Sequence, residues 1–291
     1  MQGRIYKALA GYYYVSNGEF SWQCRARGIF KKRGLTPLVG DEVQYEEIGR
    51  GEGIINEILP RQSELIRPPI ANIDLAVLVF SLAEPKFNPQ LLDTFLVHTE
   101  AAGVDALICL TKADLYQDEA ELAKIRSQYE AIGYQVVTTS SRRNAGIEDI
   151  RRFLKNRLSV FSGQSGVGKS SLLNALFADL NLETAPISLK LGRGKHTTRH
   201  VELIPLPEGG WVADTPGFSS LDFSTFERED LALNFREMRD RVGQCRFRGC
   251  LHANEPGCAV RAGVDDGTIA ASRYAHYIQF LQEITERKPR Y

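Results

Sequence analysis

Eight consecutive residues, Gly163-Gln164-Ser165-Gly166-Val167-Gly168-Lys169-Ser170, narrow the folds open to this chain further than any other segment, because they match G-x-x-x-x-G-K-[ST]. A strand candidate at 159–162 precedes them, and a helical pattern opened by Ser171 runs over 171–180. In a strand-to-helix turn of this kind the glycines let successive backbone N–H groups face phosphate oxygens. Lys169 neutralises the β and γ oxygens, and the Ser170 hydroxyl is placed to ligate Mg²⁺. The helix N-terminus adds its partial positive charge. A glycine-rich turn that binds nothing has no need of Lys and Ser at those two positions. The expected ligand is a nucleotide, held at the end of a strand in a parallel sheet.

The flanking sequence supplies such a sheet. Beyond the break at Arg67-Pro68-Pro69, strand candidates at 75–80, 106–110, 135–139, 159–162, 201–205 and 211–213 alternate with helical patterns at 89–102 and 119–132. Residues 1–67 read differently: short apolar runs at 11–15 and 20–24 are punctuated by Asn17-Gly18, Gly28, Gly34, Gly40-Asp41 and the glycines of 49–53. Short strands at that spacing predict a small closed barrel. From about residue 226 the pattern turns helical, at 226–242 and again near 267–287, with a Cys/His cluster between. The expected division is therefore 1–67, 68–225 and 226–291.

Composition excludes several classes of function. Thirty-six basic and thirty-six acidic side chains cancel, so no global field draws nucleic acid or membrane, and any such attraction must be local. The longest apolar run, 75–80, is six residues, against the roughly 18 that a membrane-spanning helix needs. The first 20 residues lack the apolar core of an export signal, which predicts a cytoplasmic protein.

A phosphate loop specifies a nucleotide without specifying its base. Thr111-Lys112-Ala113-Asp114, at the end of the strand candidate 106–110, resembles the guanine-reading N-K-x-D of GTPases, with Thr in place of Asn. A carboxylate at Asp114 accepts from the guanine N1–H and exocyclic amine, whereas adenine presents the wrong pattern to it. The Lys112 stem would pack on the ring, and Ser140-Ser141, ending the strand candidate 135–139, stands where a second base-contacting loop is expected. Asp214-Thr215-Pro216-Gly217 resembles the D-x-x-G loop, in which the Asp holds Mg²⁺ through water and the Gly senses the γ-phosphate. Between the two phosphate-contacting motifs, residues 190–199 are basic and contain no acidic residue, as expected of a switch segment. Either Thr197 or Thr198 would close on Mg²⁺ and the γ-phosphate. His196 is the nearest polar group to position the attacking water, since Phe218 follows Gly217 where many GTPases carry a glutamine; an exposed loop residue or an RNA contact is the alternative for His196. The base motif at 111 precedes the phosphate loop at 163, the reverse of the ordinary GTPase order, so the chain reads as a circular permutation.

Three thiols and an imidazole, Cys245, Cys250, His252 and Cys258, fall within 14 positions in the pattern C-x4-C-x-H-x5-C. They suffice for a closed tetrahedral Zn²⁺ site, which leaves no position for water and is structural. The remaining cysteines, Cys24 and Cys109, read as small buried apolar residues.

Together, residues 163–171, His196-Thr197-Thr198, 214–218, and 245–260 running on to Arg273-Tyr274 resemble the ribosome small-subunit-dependent GTPase A family over essentially the whole chain. The resemblance implies an N-terminal OB-fold β-barrel, a central circularly permuted P-loop GTPase domain and a C-terminal helical zinc-binding domain. It also implies hydrolysis of GTP to GDP stimulated by the small ribosomal subunit, RNA contact during late 30S maturation, and one structural zinc. An OB-fold suits RNA, and Arg25, Arg27, Lys31, Lys32 and Arg33 with Trp22 and Phe30 are expected to form its face. The expected partners are GTP/GDP and the small subunit through 16S rRNA, with the protein itself a monomer. The rivals are a P-loop ATPase or kinase, which Asp114 disfavours, and an RNA-binding regulator whose pocket is structural.

Overall fold

The computed structural model describes residues 1–66, 68–177, 201–216 and 221–287. At the N-terminus β1 (Gln2–Leu9), β2 (Tyr12–Ser16), β3 (Ser21–Ala26), β4 (Glu42–Gly49) and β5 (Glu52–Ile58), with the short helix α1 (Gly28–Lys32), close into a barrel of order β1-β2-β3-β5-β4. Strand alternation decides what faces inward. Along β3 the burial pattern puts Trp22 and Cys24 inside and leaves Gln23 and Arg25 outside. Trp22 (8 % exposed) packs on Tyr45 at 5.1 Å, and Phe30 (6 % exposed) is buried as well, so the two aromatics expected on the basic face are core residues. On the neighbouring strand the half-buried Tyr12 carries the Arg25 guanidinium over its ring at 4.9 Å, and the exposed aromatic of this region is Phe20, just before β3.

A hairpin of β6 (Glu64–Ile66) and β7 (Pro69–Ala71) leads from the barrel into the sheet. Arg67, the residue after which the sequence is expected to divide, lies outside the described residues, and the strands on either side of it pair with each other. The central sheet has six strands in the order β10 (Gln135–Thr138), β9 (Asp105–Thr111), β8 (Leu75–Ser81), β11 (Leu158–Ser162), β13 (Trp211–Pro216) and β12 (Leu203–Pro205). Only the β12–β13 pair is antiparallel. All seven residues of β8 are buried, as befits a strand covered on both faces. Helices α2 (Pro89–Ala101), α3 (Glu119–Glu130), α4 (Ile147–Leu154) and α5 (Lys169–Phe177) cover it.

Barrel and sheet share one apolar core that runs from Ile5 and Val15 to Leu78 and Phe80. Tyr6 stacks on Trp211 at 6.3 Å, and Lys7 pairs with Glu202 at 3.2 Å. Gly40 sits at the joint with φ +94°, and a Cβ there would lie 2.0 Å from the Ala71 carbonyl oxygen.

The C-terminal region departs from the sequence expectation at 226–242. Instead of one helix it has a 3₁₀ turn (Leu231–Asn234) and a single helical turn (Arg236–Arg239). Phe226, Leu231, Phe235 and Met238 all bury in one cluster, and no single helix face carries them there, so packing overrides local helical preference. The final helix, Ala271–Glu286, forms as expected and packs against α2.

Gly40→Ala is expected to destabilise the fold by more than about 2 kcal/mol, because it combines a positive φ with a backbone clash at the barrel–sheet joint. A thermal melt of the variant within a degree or so of the parent would contradict that reading of the joint.

Candidate nucleotide site and metal centre

The sheet order brings the sequence motifs together. The base motif leaves the carboxyl end of β9 and the phosphate loop that of β11, with β8 between them. Parallel sheets gather their ligands at that edge. Gly163 makes the phosphate loop possible: at φ +148° a Cβ would lie 2.1 Å from the Val79 carbonyl oxygen of the neighbouring strand. Gly166 and Gly168 also hold positive φ (81° and 99°). Val167 is buried and anchors the loop in the core, while Gln164, Ser165, Ser170 and Ser171 are exposed at its rim. Lys169 opens α5 and folds over the loop, donating to the carbonyls of Gly163 (2.7 Å) and Gln164 (2.6 Å). Burial lowers its pKa from the ordinary lysine value.

Thr111, where the Asn of N-K-x-D is expected, is 4 % exposed, and its Oγ1 lies 2.5 Å from the Val167 carbonyl oxygen and 3.1 Å from that of Phe80. The hydroxyl thus ties base loop to phosphate loop. Lys112, in the left-handed region at φ +59°, donates from Nζ to Gly166 O at 2.8 Å and also to the Glu84 carbonyl. Ala113 N–H donates to Thr139 O at 3.1 Å, joining the base motif to the end of β10. Ser140, 2 % exposed, donates to Asp114 Oδ1 at 2.6 Å and accepts from the Arg143 N–H at 3.2 Å. The Ser140 hydroxyl is the main cause that holds the Asp114 carboxyl below the usual carboxylate range, with Arg142 and Arg143 adding smaller pulls in the same direction. Ser141 follows on the same turn, half-buried.

Asp214 lies on β13 and is described by its backbone alone. His196, Thr197, Thr198, Gly217 and Phe218 lie outside the described residues. Sequence reasoning missed the 82–88 segment, which reaches the site through a main-chain carbonyl and so leaves no residue-type signal.

The donor atoms of Cys245, Cys250, His252 and Cys258 lie within 4.8 Å of one another. Cys245 Sγ and Cys258 Sγ are each 3.4 Å from His252 Nδ1 and 3.9 Å from each other. Donors at ordinary Zn–S and Zn–N bond lengths on a tetrahedron stand about 3.8 Å (S to S) and 3.5 Å (S to N) apart, so these distances fit one ion. Backbone N–H groups of His252, Ala259 and Arg261 point at Cys250, Cys245 and Cys258 Sγ at 3.3–3.4 Å, as suits thiolates. Glu255, which the sequence offers only as a spacer, accepts from the N–H groups of Leu251, Ala253 and Asn254 and shapes the turn.

The model of the RsgA GTPase family matches residues 58–224, and that of the RsgA N-terminal domain residues 2–55. The chain belongs to the RsgA GTPase family. It is 53 % identical over 100 % of its length, and 99 % of the relative's, to the small ribosomal subunit biogenesis GTPase RsgA of Halalkalibacterium halodurans. The Bacillus subtilis protein of the same name is 51 % identical at the same coverage. Among solved structures, YloQ, described as a circularly permuted GTPase, superposes with TM-score 0.85 at 45 % identity, over 100 % of this chain and 96 % of that one. YjeQ from Thermotoga maritima gives TM-score 0.86 at 35 % identity, covering 99 % of both. RsgA-family membership makes the chain a GTP hydrolase and its permuted order a family property.

Ser140→Ala should release the Asp114 carboxyl toward its ordinary pKa. A depressed carboxylate keeps its acceptor form until pH falls through the lowered value, so removing the hydroxyl moves the acid loss of guanine-nucleotide affinity to higher pH. Affinity for GDP measured from neutral to acidic pH checks this; coincident profiles for parent and variant would remove the Ser140 contact from the account.

Proposed function

We propose that this chain hydrolyses GTP to GDP and phosphate as an assembly factor of the small ribosomal subunit, acting late in 30S maturation through 16S rRNA. The observation that carries the proposal is the tie between Thr111 and Val167, which joins a guanine-reading motif to a phosphate loop in one pocket, in a chain whose full-length relatives are named for small-subunit biogenesis.

In this reading Asp114 accepts from the guanine edge, with Lys112 along the ring and Thr111, Ala113, Ser140 and Ser141 holding the loop. The backbone of 163–168 faces the phosphates, and Lys169 turns from the loop carbonyls to the β and γ oxygens when they arrive. Its lowered pKa marks a cation short of solvent, which gains from an anionic partner. Ser170 and Asp214 would hold Mg²⁺, which supplies charge neutralisation on the phosphates when bound. Gly217 with Thr197 or Thr198 would sense the γ-phosphate, and His196 would orient water; these roles rest on the motifs alone. Cys245, Cys250, His252 and Cys258 would hold one structural Zn²⁺, whose chemistry is cross-linking. No helix among the described residues is long and apolar enough to cross a membrane. A cytoplasmic monomer divided at 1–67, 68–225 and 226–291 completes the proposal, with Arg25, Arg27, Lys31, Lys32 and Arg33 as the RNA-facing charges of the barrel.

Lys169→Ala should lower turnover by about a hundredfold or more while the barrel and C-terminal region stay folded, since a preorganised charge on the phosphates is lost. Purified small subunits should raise GTP turnover of the parent by at least about tenfold, in a salt-sensitive way. Parent turnover that is indifferent to small subunits would favour the reading as an RNA-binding regulator. Equal affinity for ATP and GTP would favour the ATPase or kinase reading.

Freshly purified protein should carry about one Zn²⁺ per chain, and Cys258→Ser should lose it together with amide protection in the final helix. Tyr274 and Tyr277 on that helix donate to the carbonyls of His252 and Leu251, both at 2.7 Å, so the cluster and the helix order each other. Metal analysis that finds another ion, or none, would refute the zinc assignment.

A further inference from the structure

Arg273 is 1 % exposed, yet it carries a charge into the contact between the final helix and α2. Its Nη1 donates to Asp93 Oδ1 at 2.5 Å, and its Nε and Nη2 donate to the two oxygens of Glu237 at 2.6 and 3.1 Å. Asp93, on α2 and 0 % exposed, also accepts from Tyr129 Oη at 3.0 Å and lies 2.5 Å from His276 Nδ1. The network therefore joins α2 and α3 of the GTPase domain to two segments of the C-terminal region. Desolvating such a set is costly, and well-packed apolar side chains would stabilise the contact as well or better. What a saturated polar network adds is a single register.

The element held in that register leads straight to the nucleotide pocket. Asp93 stands in the second turn of α2, whose start is capped by Asn88, the side chain of which accepts from the Leu91 N–H at 3.1 Å. Immediately before it, segment 82–88 leaves β8 between the base loop and the phosphate loop. The Glu84 carbonyl of that segment accepts from Lys112 Nζ, which also reaches Gly166 O, and Pro85 Cδ lies 3.8 Å from where a Cβ on Gly166 would be.

We propose that Arg273 is a positioning residue for the guanine-nucleotide pocket: by fixing Asp93 it sets the start of α2, and with it the 82–88 wall on which Lys112 rests. This rests on the reading of the pocket given above. The wall meets the base loop at Lys112 and the phosphate loop at Gly166, neither of them in the γ-phosphate-sensing motifs, so a shift in it acts on binding more than on the chemical step. Coupling is reciprocal, and a nucleotide in the pocket tightens the final helix in turn.

The test uses the full chain with Arg273→Lys, which keeps the charge and loses the fork of donors. GDP dissociation constant and KM for GTP should both rise about fivefold to tenfold, while kcat at saturating GTP stays within about twofold. In the Lys112→Met background the same substitution should add little, because the wall then has nothing to position. GDP should also raise amide protection across Ala271–Glu286 in the parent. Should Arg273→Lys fold poorly, Tyr129→Phe removes one donor from Asp93 without changing charge and should show the same split in smaller measure. A lowered melting temperature with unchanged GDP affinity and KM, or effects that simply add in the double variant, would overturn the proposal and leave Arg273 as a stabilising strut. Asp114→Ala separates the two layers of inference. If it keeps guanine preference, the pocket reading itself fails; if it loses that preference while Arg273→Lys binds like the parent, only the positioning role falls.

Discussion

The contact between Thr111 Oγ1 and the Val167 carbonyl, 2.5 Å long and buried, is what makes two loops into one site. The loops leave strands that are not neighbours, because β8 stands between β9 and β11, and two strand spacings separate their roots by about 10 Å. A nucleotide spans such a gap only if both loops keep their distance. Thr has a shorter reach than Asn, so the tie holds only where the phosphate loop comes close. It does so at a glycine: Gly168 holds φ +99°, a backbone conformation that side chains rarely adopt, although a Cβ there would make only ordinary contact with the Thr111 hydroxyl oxygen at 3.7 Å. Lys112 adds a second tie, to Gly166 O. The Thr-for-Asn exchange that weakens the motif on paper is thus absorbed by the geometry of the phosphate loop.

Legibility followed how local each feature is. The phosphate loop, the base motif and the metal cluster are short patterns whose residue types are dictated by chemistry; the first two segments follow β11 and β9, and the donor atoms of the third gather within 4.8 Å. Sheet membership was readable too, since buried parallel strands such as β8 are unbroken apolar runs. The barrel was readable as a barrel, but not which of its aromatics faces out: Trp22 and Arg25 stand three residues apart on one strand, and only the register with β2 and β5 decides that Trp22 turns inward. The segment 226–242 misled for a related reason, since its apolar residues serve a core assembled from α2 and the final helix. Nothing in sequence links Asp93 to Arg273, 180 positions away.

The metal cluster is held by more than its four donors. Glu255 gathers three N–H groups of the turn, backbone amides point at the sulfurs, and two tyrosine hydroxyls of the final helix close on the carbonyls beside His252. The same helix carries Arg273 and His276 into α2. The metal cluster and the GTPase sheet are therefore two ends of one packed body, joined through a helix that each of them orients. The C-terminal region builds an apolar cluster of its own, and this double attachment fixes where that cluster sits.

Chain order has no bearing on whether the pocket forms, because the sheet sorts the loops by strand position; it decides what the pocket is attached to. With the permuted order β13 is, among the described residues, the last strand of the sheet in the chain, and it ends at Pro216 on the nucleotide edge. The next described segment packs directly on the far half of α2, where Phe223 and Phe226 lie 5.4 and 5.0 Å from the ring of His98. The near end of the same helix is joined to the pocket by segment 82–88, through Glu84 and Lys112. Helix α2 is consequently reached from the nucleotide edge at both ends, and between them it offers Asp93 to the C-terminal region. In an unpermuted chain, where the phosphate loop comes first and the base motif last, the exit from β13 would run on into further strands of the sheet and could not carry a terminal domain onto α2. The permutation is what lets one helix stand between the pocket and the metal-bearing region as their common support.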